Sequence, residues 1–151
     1  MDTRMKHLYQ ELIIDHNKNP RNFRVMEEFS HESVGNNPLC GDKMILYLKI
    51  NDENIIEDIS FIGDGCAISK ASSSMMTTAI KGKSIAQARA LFKDFHDMST
   101  GKLDIAEHPH QLGKLAIFAG VRDLPARVKC ATLAWHTLDA ALKGEQEITT
   151  E

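Results

Sequence analysis

The spacing of apolar residues changes along the chain from helical to extended and back to helical. Met5, Leu8, Leu12 and Ile13 fall on one face of a helix, and Asn19-Pro20 ends it, because proline lacks the amide hydrogen a helix interior needs. A polar, turn-rich stretch through Gly35-Asn36-Asn37-Pro38 follows, with a short strand expected near His31–Val34. Met44–Ile50 and Ile55–Ile62 are compact apolar runs joined by Asn51-Asp52-Glu53-Asn54, the pattern of an antiparallel hairpin. Gly63-Asp64-Gly65 breaks the second strand. From Cys66 the period lengthens: Ile68, Ala71, Met75, Met76 and Ala79 share a helical stripe that stops near Gly82. Ser84 with Gln87 three residues on is a capping-box signature, and Ile85, Ala88, Leu91, Phe92 and Phe95 continue a helix behind it. Met98–His110 reads as irregular, Gln111–Ala119 as a short helix, and Gly120–Pro125 as a loop. Val128, Ala131, Trp135, Leu138 and Leu142 trace a last amphipathic helix, with Gly144 as its stop.

Strands precede most of the helices, so the expected class is α+β rather than alternating βαβ units. No repeat or linker divides the 151 residues, which places residues 1–151 in one domain large enough for a core of its own. A formal charge of −3, with cations scattered rather than clustered, gives no reason to expect a nucleic-acid partner. Met1-Asp2-Thr3-Arg4 lacks the apolar core of a signal peptide, and no apolar run reaches membrane-spanning length. A cytoplasmic location is therefore expected, with no membrane association.

That location bears on the three cysteines, because a reducing compartment disfavours structural disulfides. Cys40 lies in the turn before the first hairpin strand, Cys66 opens a helix, and Cys130 is expected to open the last helix just after a Pro-containing loop. Thiols at helix N-termini are acidified by unpaired backbone N–H groups, and thiolate is the form that binds metal and attacks sulfur. Asp42 stands two residues from Cys40 on an extended segment, so both point the same way. Three thiolates and a carboxylate would suit tetrahedral Zn²⁺ or thiophilic iron. Spacing alone leaves two readings open, a shared metal site or three small buried hydrophobes. His108, His110 and His136 read as loop or packing residues, and Met75 and Met76 as core filler.

Asn37-Pro38-Leu39-Cys40-Gly41-Asp42, Gly63-Asp64-Gly65-Cys66-Ala67-Ile68-Ser69 and Val128-Lys129-Cys130-Ala131 resemble the three cysteine motifs of the IscU/NifU-type iron–sulfur cluster assembly family. Asp15-His16 through Asn19-Pro20-Arg21-Asn22-Phe23 resembles that family's N-terminal pattern. The resemblance implies a sheet of about three antiparallel strands with helices packed against it and a cysteine-lined site at one end. It implies Cys40, Asp42, Cys66 and Cys130 as the metal ligands.

Scaffold members typically carry a histidine directly before the third cysteine, where this chain has Lys129, and a Leu-Pro-Pro-Val-Lys chaperone motif, where it has Leu124-Pro125-Ala126-Arg127-Val128-Lys129. Cys66 and Cys130 also lie farther apart than in typical scaffolds. These features resemble the SufU branch, which implies Zn²⁺ as cofactor, a SufS-type cysteine desulfurase as sulfur donor and downstream cluster-assembly proteins as recipients. They further imply Cys40 as persulfide acceptor, with Arg127 as a supporting cation. The alternatives are a scaffold holding iron as a [2Fe–2S] cluster on the same residues, and a purely structural zinc protein.

Overall fold

The computed structural model describes residues 3–149; Met1, Asp2, Thr150, Glu151 and the side chains of Thr3 and Met5 lie outside the described set. The chain runs α1 (Thr3–Lys18), β1 (His31–Asn37), β2 (Asp42–Ile50), β3 (Ile56–Asp64), α2 (Ala67–Ile80), α3 (Ile85–Ser99), a 3-10 stretch (Gly113–Asp123), α4 (Pro125–Leu142) and β4 (Glu147–Thr149). Among the described residues no helix is long and apolar enough to cross a membrane.

The class is α+β, but the sheet has four strands rather than three, in the order β3-β2-β1-β4. β1–β2 and β2–β3 are antiparallel, as the hairpin pattern predicts; β4 pairs parallel to β1 through Val34↔Glu147 and Gly35↔Ile148. With Ile148 its single apolar residue, β4 has no alternation to read, and it forms because α4 returns the chain alongside β1. The strand expected at His31–Val34 runs on to Asn37 in register with β2.

Strand alternation sets the layers. Met44, Leu46 and Leu48 of β2 and Ile59 and Phe61 of β3 are buried, and helices cover that face. α4 crosses β1 at Gly35, where an added Cβ would collide with Thr137 and touch Leu133. The same alternation continues through β1 and β2 to Asn37 and Asp42, so the core-facing row ends in two buried polar residues. A second part of the core stacks Phe95 of α3 on Trp135 of α4 at 4.6 Å, with Phe118 edge-on to Phe95 at 5.6 Å.

Four local expectations change. Leu8 is exposed, and α1 instead buries the stripe of Tyr9, Leu12, Ile13 and His16, where His16 Nδ1 meets Ser74 Oγ at 2.7 Å. The α2 stripe holds, but Ser69, Ser72, Ser73, Ser74 and Thr77 are buried as well. Ser73 and Thr77 donate to carbonyls of their own helix, whereas Ser72 Oγ donates across to Ala131 O of α4 at 2.6 Å. The capping box at Ser84 and Gln87 forms as expected, and α3 extends to Ser99 because Met98 is buried. The helix and loop expected over 111–125 are a 3-10 stretch followed at once by α4, with Pro125 in its first turn, where a missing N–H costs nothing.

Candidate metal–thiolate site

Three strand ends meet at one edge of the sheet: the end of β1, the start of β2 and the end of β3, with Asn37 opposite Asp42 and Lys43 opposite Asp64. Cys40 stands in the tight turn joining β1 to β2, its N–H donating to Asn37 O at 3.3 Å, and Gly41 completes the turn at φ +71°. Cys66 is the N-cap of α2, as the sequence predicts, and its sulfur accepts the Ser69 N–H at 3.4 Å.

Cys130 differs from expectation. Because α4 begins at Pro125, Cys130 lies inside the helix and is completely buried rather than opening it. Its Sγ approaches Ala126 O at 3.5 Å and Cys40 Sγ at 3.2 Å. Burial pushes the Cys130 thiol far up. Hydrogen bonding with Cys40 and Cys66 and the charges of Cys66 and Asp42 push the same way. Acidification by a helix N-terminus, expected for this residue, does not operate there.

Asp42 ties the parts together. Its Oδ1 accepts the Cys66 N–H at 2.8 Å, and its Oδ2 accepts Asn37 Nδ2 at 3.2 Å and lies 4.0 Å from Cys66 Sγ. The glycines flanking Asp64 make room for the protein's own parts. A Cβ on Gly65 would stand 2.7 Å from Asp42 Oδ1, and one on Gly63 would strike the Lys43 carbonyl.

The ligand atoms of Cys40, Asp42 and Cys130 lie within 4.8 Å of one another, which makes them a potential metal site. Among the described residues no other such group of His, Cys, Asp or Glu converges. Cys66 joins at the edge through its 4.0 Å approach to Asp42. A tetrahedral ion with Zn–S bonds of about 2.3 Å separates its ligands by about 3.8 Å. The Cys40 and Cys130 sulfurs, 3.2 Å apart, need separate only slightly to meet it, and two sulfurs and a carboxylate within 4.8 Å suit a thiophilic ion.

Arg127 is exposed on the first turn of α4. Interaction with Cys130, then with Cys66 and Cys40, raises the proton affinity of its guanidinium. Two residues at the site escape the sequence reading. Asn37 is buried between Asp42 and Cys130, 3.8 Å from the latter's sulfur. Tyr9 lies on the rim, its phenol pushed up by burial and by Cys66 and Cys130, against Arg127. Core-facing alternation through β1 and the spacing of Tyr9 with Leu12, Ile13 and His16 are the signals that locate them. His136 packs edge-on against Phe92 and His96.

Fold and site together define a small α+β protein with a cysteine–carboxylate cluster built on the ends of three strands and on two helices. The NifU-like N terminal domain family matches residues 8–131, and the chain belongs to it, within the IscU/NifU-type proteins of iron–sulfur cluster assembly. The zinc-dependent sulfurtransferase SufU of Bacillus subtilis (strain 168) is 45% identical over 139 residues, covering 92% of each chain. The iron–sulfur cluster assembly scaffold protein IscU of Streptococcus pyogenes serotype M1 is 43% identical over 141 residues, covering 93% of this chain and 86% of its own. The crystal structure of FiSufU from Fervidobacterium islandicum AW-1 superposes with a TM-score of 0.79 at 34% identity, over 90% of this chain and 97% of that one.

Proposed function

We propose that this chain is a zinc-dependent sulfur acceptor: Cys40, Asp42, Cys66 and Cys130 hold Zn²⁺, and Cys40 receives sulfur from a SufS-type cysteine desulfurase in the cytoplasm and passes it to downstream cluster-assembly proteins. The observation that carries the choice of Cys40 is its place at the tip of the β1–β2 turn, next to Leu39, which is 64% exposed, whereas Cys130 is sealed inside α4. Cys66 is partly exposed like Cys40, but its sulfur is engaged as a helix cap, which favours Cys40 as the acceptor.

Bound Zn²⁺ would keep the three sulfurs deprotonated while tempering their nucleophilicity. The Cys40 thiolate attacks the outer sulfur of the donor's persulfide. A new S–S bond forms at Cys40 Sγ, the donor's S–S bond breaks, and the donor cysteine leaves as thiolate, so no oxidant or reductant is consumed. Arg127 stands beside the sulfurs to offset negative charge as the two proteins meet. Asp42, the one hard ligand in a thiolate-rich set, is the weakest-held donor.

The test is anaerobic turnover of a cysteine desulfurase with cysteine, with and without this protein, while mass spectrometry locates added sulfur and zinc, iron and labile sulfide are quantified. Faster turnover with a persulfide on Cys40 of the zinc protein is expected. Iron and labile sulfide retained without stimulation would make the chain a [2Fe–2S] scaffold. Zinc binding without any effect on turnover would make the metal structural.

A further inference from the structure

We infer that Asn37 is a positioning residue of the metal centre, its side-chain amide fixing Asp42 and Cys130 relative to one another. The inference rests on the metal-binding part of the proposal above. Asn37 is completely buried at the end of β1 and sits opposite Asp42 in the β1–β2 register. Its Nδ2 reaches Asp42 Oδ2 at 3.2 Å and Cys130 Sγ at 3.8 Å, partners five and ninety-three residues away in sequence. Turning the amide over would set its carbonyl oxygen against a carboxylate oxygen and a sulfur, so the donor face must point into the site.

The consequence of that orientation is visible on the other side: Asn37 Oδ1 is buried with no hydrogen-bond partner among the described residues. A fold that needed only to fill this space would be better served by an apolar side chain, because an orphaned buried acceptor costs stability. What the amide supplies is a neutral donor shared between two would-be ligands. Asp42 Oδ1 accepts the Cys66 N–H, and Oδ2 accepts the Asn37 amide with the Cys66 sulfur 4.0 Å away. Each oxygen keeps a second lone pair, and Asn37 fixes the direction in which that of Oδ2 points. The same N–H orients Cys130, whose sulfur is otherwise anchored by Ala126 and Cys40. A neutral donor does this without adding charge to a site that already gathers three sulfurs and a carboxylate.

Asn37→Ala and the space-filling Asn37→Leu test this, each compared with the wild type in two forms. In the metal-free protein both variants are expected to lower the melting temperature, since Asp42 Oδ2 loses its donor, so zinc affinity is the deciding readout. Zinc affinity, measured by chelator competition, is expected to fall about 10–100-fold in both variants, as for removal of outer-shell partners elsewhere. The thiolate-to-cobalt absorption of the Co²⁺-substituted protein is expected to shift as Asp42 and Cys130 reorient. Unchanged zinc affinity with an unchanged cobalt spectrum in Asn37→Leu would overturn the assignment. So would a lower metal-free melting temperature without loss of affinity, which would make Asn37 merely structural. A wild-type protein that binds no zinc would fail the metal-site reading itself, a result distinct from either.

Discussion

Replacing Gly65 by alanine isolates the contact that joins the sheet to α2. The new Cβ would stand 2.7 Å from Asp42 Oδ1, where ordinary contact begins at 3.4 Å, so that oxygen must retreat by 0.7 Å (3.4 minus 2.7). It has no slack for this. Oδ1 accepts the Cys66 N–H at 2.8 Å, Oδ2 is held by Asn37 at 3.2 Å, and the carboxyl is buried. A retreat of that size carries the Cys66 bond out of good range. Hydrogen bonds to charged groups contribute about 1.5–3 kcal/mol, and overpacking costs about 1–3 kcal/mol, so a total of about 2–4 kcal/mol is expected after partial relaxation. For a domain of this size that is a drop in melting temperature of about 5–15 °C, read by thermal denaturation of the metal-free protein in chelator.

The control is Gly41→Ala, where a Cβ meets nothing within 4 Å but the backbone is at φ +71°. Its cost of about 1–2 kcal/mol comes from backbone strain alone, with the Asp42–Cys66 bond intact. Zinc affinity should therefore weaken in Gly65→Ala and stay close to wild type in Gly41→Ala. A melting temperature and zinc affinity in Gly65→Ala equal to wild type would refute the view that Asp42 is wedged between α2 and the sheet.

Further expectations can be checked with the same preparations. Cys66→Ala and Cys130→Ala should each lose zinc by elemental analysis and forfeit the stabilisation the metal confers, about 2.7 kcal/mol at a hundredfold excess over Kd; retained metal in either variant would remove that residue from the site. Burial lowers the proton affinity of His16, with Arg21 adding to it, and burial and His96 do the same to His136. The unfolded chain takes up these protons near the ordinary 6.5 while the folded chain resists, so stability is complete above that pH and falls as pH drops below it. A metal-free melting temperature that does not change between neutral and mildly acid buffer would contradict this, and His16→Gln should reduce the slope. Ser84→Ala should cost about 1 kcal/mol by removing the α3 cap, with no change in zinc affinity.

The parts of this molecule legible in its sequence are those whose cause is local. The Ser84–Gln87 cap, the hairpin and the Cys66 helix start each depend on residues within a few positions of one another. β4 has no local cause, being recruited by β1 once α4 has delivered it. Pro125 reads as a loop residue in the sequence but stands in the first turn of α4, which moves Cys130 from a helix end to its buried interior. Convergence of Cys40, Asp42 and Cys130 needed the family resemblance, because no spacing rule links Cys130 to the other two. Asn37 was hidden by its polarity: alternation places it on the core face, but a core is ordinarily sought among apolar residues.

The distance in sequence between the sulfurs that touch has a consequence for synthesis. Cys40 and Cys130 are ninety residues apart, and α4 follows every other helix. At about 5–20 residues per second, a growing chain displays Cys40, Asp42 and Cys66 for several seconds before Cys130 is made. During that interval three of the four proposed donors exist, open to any passing thiophilic ion but unable to enclose it. Closure comes only when α4 settles across β1, so secure metal retention reports that the last helix has arrived, and stalled or truncated chains lacking it should exchange zinc freely with a chelator.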